Sequence, residues 1–166
     1  MVIRQAVRLI SDMLESVTDD AYFEARQIVS EISGGKMPFE EISDAQLAEC
    51  EDKAKRRKTG EPLQYLLGEW DFMSLTLSCG EGVLIPREDT AVLVEAVCKR
   101  LSKTENLPKG LDLCAGTGAV GLSIAKEAHA EVTEVELYDG AFNYLNENLA
   151  RYPELPVTAV KGDMLD

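Results

Sequence analysis

From Leu111 to Ala125 the chain reads Leu-Asp-Leu-Cys-Ala-Gly-Thr-Gly-Ala-Val-Gly-Leu-Ser-Ile-Ala, an apolar strand pattern that passes through a glycine turn straight into a helix. Glycines at 116, 118 and 121 let the backbone bend sharply and let a ligand touch it. Three acids accompany the turn: Asp112 in the first strand, Glu136 at the end of the next, and Asp163 after a third, in Lys161-Gly-Asp163. Ligands of parallel α/β sheets bind outside the carboxyl edge. Acids at three successive strand ends therefore suggest an adenosine-bearing ligand, with Glu136 placed to accept hydrogen bonds from two ribose hydroxyls.

Two cofactor classes compete for this pattern. Gly116-Thr-Gly-Ala-Val-Gly121 is a literal GxGxxG, and Glu136 stands 20 residues after Gly116, as a dinucleotide fingerprint requires. A NAD-dependent oxidoreductase is one reading. Asp112, four residues before Gly116, opposes it, because a carboxylate beside an anionic pyrophosphate is unfavourable. S-adenosylmethionine has no phosphate and carries a sulfonium and an ammonium, which carboxylates stabilise. A helical segment over 88–103, ahead of the first strand, also fits a dinucleotide domain poorly. The residues favour the methyl donor; glycines that merely pack helix on strand are the third reading.

The elements around the turn follow from periodicity. Strands over Leu111–Ala115, Val132–Leu137 and Val157–Val160 alternate with helices over Ala119–Ala128 and Ala141–Arg151, an order that calls for a parallel sheet with right-handed crossovers. Glu88, Asp89 and Thr90 open the preceding helix, whose expected apolar face is Val92, Leu93, Ala96, Val97 and Leu101. Upstream, Glu69–Cys79 reads as a hairpin or a pair of short strands. The first 60 residues differ in kind. A helix carries Val2, Ile3, Ala6, Val7, Leu9, Ile10, Met13 and Leu14, and a second, capped by Asp19-Asp20 and ended by Gly34-Gly35, carries Tyr22, Phe23, Ile28, Val29 and Ile32. Ser43 and Gln46 form a capping box for a third, which ends in Lys53-Ala-Lys-Arg-Arg-Lys58. That run of five cations in six residues reads as a solvated, dipole-matched helix end more readily than as a binding patch. The expected division is a helical substrate-recognition domain over 1–68, a hairpin and linker over 69–86, and the first half of an α/β domain over 87–166.

Composition narrows the classes. The 166 residues hold 17 basic and 30 acidic side chains, for a net charge of -13, which argues against duplex DNA as the main ligand. No apolar run approaches the length of a membrane span, and the N-terminus lacks signal-peptide character. Cysteines at 50, 79, 98 and 114 form no CxxC pair, and a single histidine, His129, leaves no metal site or histidine triad to propose. The expectation is a reduced, cytoplasmic protein.

Three segments in order, Gly60-Glu-Pro-Leu-Gln-Tyr-Leu-Leu-Gly68, Val83-Leu-Ile-Pro-Arg-Glu-Asp-Thr90 and Asp112-Leu-Cys-Ala-Gly-Thr-Gly118, resemble the peptide chain release factor glutamine N5-methyltransferases of the HemK/PrmC family. The resemblance implies a helical bundle that grips a class I release factor, followed by a class I Rossmann-like methyltransferase domain. It implies transfer of a methyl group from S-adenosylmethionine to the glutamine amide of a Gly-Gly-Gln loop. It places the cofactor loop on Cys114, Ala115, Gly116, Thr117 and Gly118, the ribose acid on Glu136, an adenine-side pair on Asp163 and Met164, and pocket lining on Pro86 and Arg87. Asp112 would face the cationic amino-acid end. Cys114 stands where the family usually has glycine, Glu136 where aspartate is commoner, and Glu88 and Ala91 replace a Pro and a Glu. The family's Asn-Pro-Pro-Tyr motif, which holds the substrate amide in line with the methyl group, has no counterpart here, since the chain contains no Asn-Pro pair. The sequence therefore reads as the N-terminal portion of such an enzyme with no residue for the chemical step, inactive alone. Its alternative role is a non-catalytic module that binds a release factor or the cofactor. In the family's sheet order the first strand, carrying Leu111 and Leu113, becomes an apolar edge here, so self-association is expected.

Overall fold

The computed structural model describes residues 1–103 and 107–165, which divide into two compact units, Met1–Leu67 and Gly68–Asp166. The first unit is helical: α1 (Ile3–Leu14), α2 (Ala21–Ser33), α3 (Asp44–Lys58) and the short α4 (Leu63–Leu67). α1 buries Ile3, Ala6, Val7, Ile10 and Leu14 on one stripe, against Ala25, Ile28 and Val29 of α2. Tyr22 and Phe23, expected inside, are exposed, because Ala21, Ala25 and Ile28 occupy the stripe at helical spacing. Asp20 is the α2 N-cap by position but its side chain makes no cap bond, whereas Gly34 ends the helix in the left-handed region with φ 70°. The Ser43–Gln46 capping box forms: each backbone N–H donates to the other's side chain at 3.2 Å. α4 carries no signal strong enough to be read beforehand.

The cation run at the end of α3 is largely committed within this unit. Arg57 donates two hydrogen bonds to the Glu24 carboxylate, at 2.7 and 3.1 Å, Arg56 pairs with Glu61, and Lys53 with Glu31. The Arg57–Glu24 pair is the buried one, with side-chain exposures of 20% and 10%.

The second unit opens with an antiparallel hairpin, β1 (Glu69–Phe72) and β2 (Leu75–Ser78), followed by α5 (Glu88–Leu101). Then β3 (Lys109–Leu113), α6 (Ala119–Ala128), β4 (Glu131–Glu136), α7 (Asp139–Arg151) and β5 (Val157–Lys161) alternate. The three last strands form a parallel sheet in the order β3-β4-β5, so β3 is an edge. β3 begins and ends two residues earlier than the pattern Leu111–Ala115 suggests. Gly110 sits in register with Val132, and Cys114 turns into the left-handed region at φ 65°, which stops the strand.

Register makes the sheet one-sided. Gly110, Asp112, Val132, Glu134, Glu136, Val157 and Ala159 share the face toward α6, and β4 alternates buried and half-buried along its length. Phe72, Leu75 and Leu77 of the hairpin, Val94 of α5, and Ala119 and Leu122 of α6 form the core on that side. The opposite face holds Leu111, Leu113, Val135 and Val160; Leu111 is 64% exposed. α5 also departs from expectation. Val94 is buried, with Ala91 and Cys98 packed on the same core, while Val92 and Leu93 are exposed. Helical spacing gives α5 two apolar stripes, and the one at 91, 94 and 98 meets α6.

Replacing Arg57 with alanine leaves the Glu24 carboxylate buried without its guanidinium. We expect a loss of about 3 kcal/mol of first-unit stability, read by urea unfolding, against less than about 0.5 kcal/mol for Lys58→Ala on the exposed end.

Candidate cofactor site

The turn between β3 and α6 is built from alternating left-handed residues: Cys114 at φ 65°, Gly116 at 59° and Gly118 at 82°. Glycine adopts that region freely and cysteine does so at a cost, which is the physical reason a glycine suits position 114. The Ala115 N–H donates to the Val135 carbonyl and the Gly118 N–H to the Ala115 carbonyl, closing the turn over the end of β4. Val83 lies beneath Gly116.

Such a turn, opening a helix, presents backbone N–H groups to an anion. Here the protein's own carboxylates accept them. Glu136 is 5% exposed; one oxygen accepts from the Gly116 N–H at 2.9 Å, the other from Leu137 and Tyr138 N–H, also at 2.9 Å. It thereby ties the glycine turn to the start of α7. Asp112 reaches under the turn and accepts from the Gly121 N–H at 3.2 Å. Burial raises its pKa, and the Gly121 hydrogen bond opposes that rise. One of its oxygens is thus engaged by the first turn of α6.

The remaining candidates are spread more widely. Cys114 and Met164 meet, Sγ to Sδ at 3.3 Å, so the turn after β5 touches the glycine turn. Asp163 is exposed and accepts from the Leu165 N–H at 3.0 Å. Thr117 is buried, and its carbonyl accepts from the Asn148 amide at 2.9 Å. Pro86 lies apart, lining a cleft with Trp70, Phe72, Met73 and Ala91, and Arg87 is the exposed N-cap of α5. Seven candidates (Asp112, Cys114, Ala115, Gly116, Gly118, Glu136 and Met164) are linked by direct contacts among themselves or with the turn, whereas Pro86 and Arg87 have no such contact among the described residues.

Two residues that sequence reasoning passed over organise this region. Asn148 is fully buried: its amide donates to the Ser78 and Thr117 carbonyls at 3.0 and 2.9 Å, and its carbonyl accepts from the Ser78 N–H at 2.6 Å. The signal was its place on the buried stripe of α7, at helical spacing from Ala141 and Leu145. Glu134 is the other. It is wholly buried on β4, and a Cβ on Gly121 would overlap its carboxyl group. Alternation with Val132 and Glu136 marks it as inward-facing. Among the described residues no group of three or more His, Cys, Asp or Glu is arranged to hold a metal ion, and no helix is long and apolar enough to cross a membrane.

A model of the PrmC N-terminal domain matches residues 5–68. The release factor glutamine methyltransferase of Thermodesulfovibrio yellowstonii is 37% identical over 130 residues, covering 76% of this chain and 46% of that protein. The protein of the same name from Fusobacterium nucleatum is 42% identical over 97 residues, 58% of this chain and 26% of its own. Among solved structures, a SAM-dependent methyltransferase from Agrobacterium tumefaciens is similar over 56% of this chain and 32% of its own, with 20% identity and a TM-score of 0.46. The chain is similar to release factor glutamine methyltransferases, and it spans about half the length of the first of these relatives.

Asn148→Ala would strip partners from three buried backbone groups at once. Each unsatisfied group costs about 1–3 kcal/mol, partly recovered by relaxation, so we expect a loss of about 3 kcal/mol or more in a denaturant titration that follows the second unit.

Proposed function

We propose that this chain supplies the cofactor-binding part of an S-adenosylmethionine-dependent protein methyltransferase whose substrate is the glutamine side-chain amide in the Gly-Gly-Gln loop of a peptide chain release factor. The observation that carries the cofactor class is the Asp112 carboxylate under the turn: it accepts from the Gly121 N–H, beneath the place where a dinucleotide would seat its pyrophosphate. A phosphate would meet a negative charge there, whereas the sulfonium and ammonium of S-adenosylmethionine are attracted by it. The substrate class is supported by the names of the relatives, and the helical first unit is assigned the release-factor contact on the same ground.

In this reading Gly116 and Gly118 give the adenosyl group access to the backbone. Glu136 exchanges its Gly116 contact for the ribose hydroxyls, Cys114, Ala115 and Thr117 shape the loop, and Asp163 with Met164 flanks the adenine. Asp112 holds the turn and adds its charge below the cationic end; Pro86 and Arg87 contribute at most to the rim. When bound, the cofactor would supply the electrophilic methyl group, its bond to sulfur breaking as the bond to the amide nitrogen forms and that nitrogen gives up a proton. No side chain of these 166 residues is assigned the chemical step. Alone, the chain binds without turnover.

Calorimetric titration with S-adenosylhomocysteine, with NADH as the control, tests the cofactor class. Binding of the first alone is expected; binding of NADH in its place would sink the reading. Glu136→Gln removes a charge-assisted contact of about 1.5–3 kcal/mol, a loss of roughly ten- to a hundredfold in affinity. The open β3 edge and the apolar face bearing Leu111, Leu113 and Val160 support self-association of the isolated chain. Sedimentation velocity is expected to show species larger than the monomer, and Leu111→Lys to shift the distribution toward monomer.

A further inference from the structure

The Glu134 carboxyl is used by none of the roles above, and its position is unfavourable for a charge. It lies in the middle of β4 with no exposure, and neither oxygen has a hydrogen-bond partner of good geometry among the described residues. On β3 its register partner is Asp112, on the same face of the sheet; on β5 the partner is the uncharged Ala159. Along β4, Glu136 stands one row nearer the carboxyl edge with its oxygens held by backbone N–H groups. Lys161, the register partner of Glu136, is paired with Asp139 of α7. α6 presents only its first turn, and Leu145 of α7 closes the other side of Gly118. Burial, and then the neighbouring Asp112, push the Glu134 pKa up to about 8, against the weaker pull of the Leu122 and Gly121 N–H groups.

The backbone above is shaped to this group. A Cβ on Gly118 would stand 3.0 Å from one Glu134 oxygen, and a Cβ on Gly121 would overlap the other. The same Gly121 donates its N–H to Asp112. The first turn of α6 therefore rests on one carboxyl group and is anchored by the next.

We propose that Glu134 is a positioning residue of the adenosyl site: as a neutral acid it sets the seat of the Gly118–Gly121 turn, and its ionisation displaces that turn and weakens cofactor binding. This rests on the cofactor reading given above. Neutral, Glu134 fits beneath the two glycines without placing a charge in the buried layer. Ionised, it faces the Asp112 carboxylate across one register row in a water-excluded layer. Like charges there separate or recruit water, and either response moves the turn that Asp112 anchors. The sign follows from the raised pKa. Stability contributed by the neutral acid is full below the ordinary carboxylate range and is lost as pH rises through about 8.

The test has a ligand-free and a ligand-bound arm, run on the native chain and on Glu134→Gln, which keeps the shape without the titration. In the first, the backbone amide signals of Gly116, Gly118 and Gly121 are followed by NMR from about pH 6 to 9.5, spanning the shifted pKa. In the second, S-adenosylhomocysteine affinity is measured over the same range. The native chain is expected to show Gly118 and Gly121 signals titrating together near pH 8, with affinity falling up to about tenfold per pH unit above it. In Glu134→Gln the signals stay flat, and the affinity at high pH stays within about threefold of its neutral-pH value. A midpoint that survives Glu134→Gln would overturn the proposal. So would a pH-dependent melting temperature with unmoved glycine signals and affinity, which assigns Glu134 a purely structural role. Glu134-dependent titration of the glycines with no binding of the ligand at any pH would instead overturn the cofactor reading.

Discussion

The first turn of α6 approaches β4 so closely that positions 118 and 121 have no room for a side chain, and the rest of the second unit is arranged around that approach. At Gly118 a Cβ would press on both Leu145 and Glu134, and at Gly121 it would overlap Glu134. Backbone at this distance from a sheet has N–H groups to satisfy and little space for partners. Asp112 and Glu136 meet that need from two adjacent strands, and their charge fixes what else can come near. In the proposed reading, that charge turns a loop able to hold phosphate into one suited to a phosphate-free ligand.

The hairpin is held by a different device. β2 pairs with β1 on one side only. Its other side is hydrogen-bonded by side chains from α7 and its C-cap: the Tyr152 hydroxyl donates to the Thr76 carbonyl and accepts from the Thr76 N–H, and Asn148 does the same at Ser78. Two polar residues, one in the helix and one capping it, thus stand in for a strand, and Asn148 reaches on to Thr117 in the glycine turn. The packed core lies on the α6 side of the sheet, whereas the face bearing Leu111 and Val160 carries apolar side chains into solvent. Parallel sheets are normally covered on both faces; the chain covers 46% of the Thermodesulfovibrio yellowstonii relative.

Much of this was legible in the residues. The β-α-β-α-β order, the parallel sheet, the hairpin and the Ser43 capping box follow from period, glycine placement and cap chemistry, each of which acts locally; the edge position of β3 follows only from the sheet order of the family the chain resembles. The misreadings arose where tertiary packing chose between local options. α5 offers two apolar stripes, and only contact with α6 selects Val94 over Val92. In α2, alanines allow close helix approach and displace the bulkier Tyr22 and Phe23 to the surface. The turn's glycines could be read as ligand access, but not as clearance for Glu134, because that crowding comes from a residue on another strand. Glu136 stands at its strand end as the pattern places it, and its extra methylene relative to aspartate lets it fold back onto Gly116.

The most direct test of the central claim is a crystal structure of the chain bound to S-adenosylhomocysteine. The account predicts the adenosyl group along Gly116–Gly118, with the Glu136 carboxylate turned from the Gly116 N–H to the ribose hydroxyls and Asp112 still on Gly121. A ligand seated elsewhere, or Glu136 unmoved with the ribose out of its reach, would contradict it.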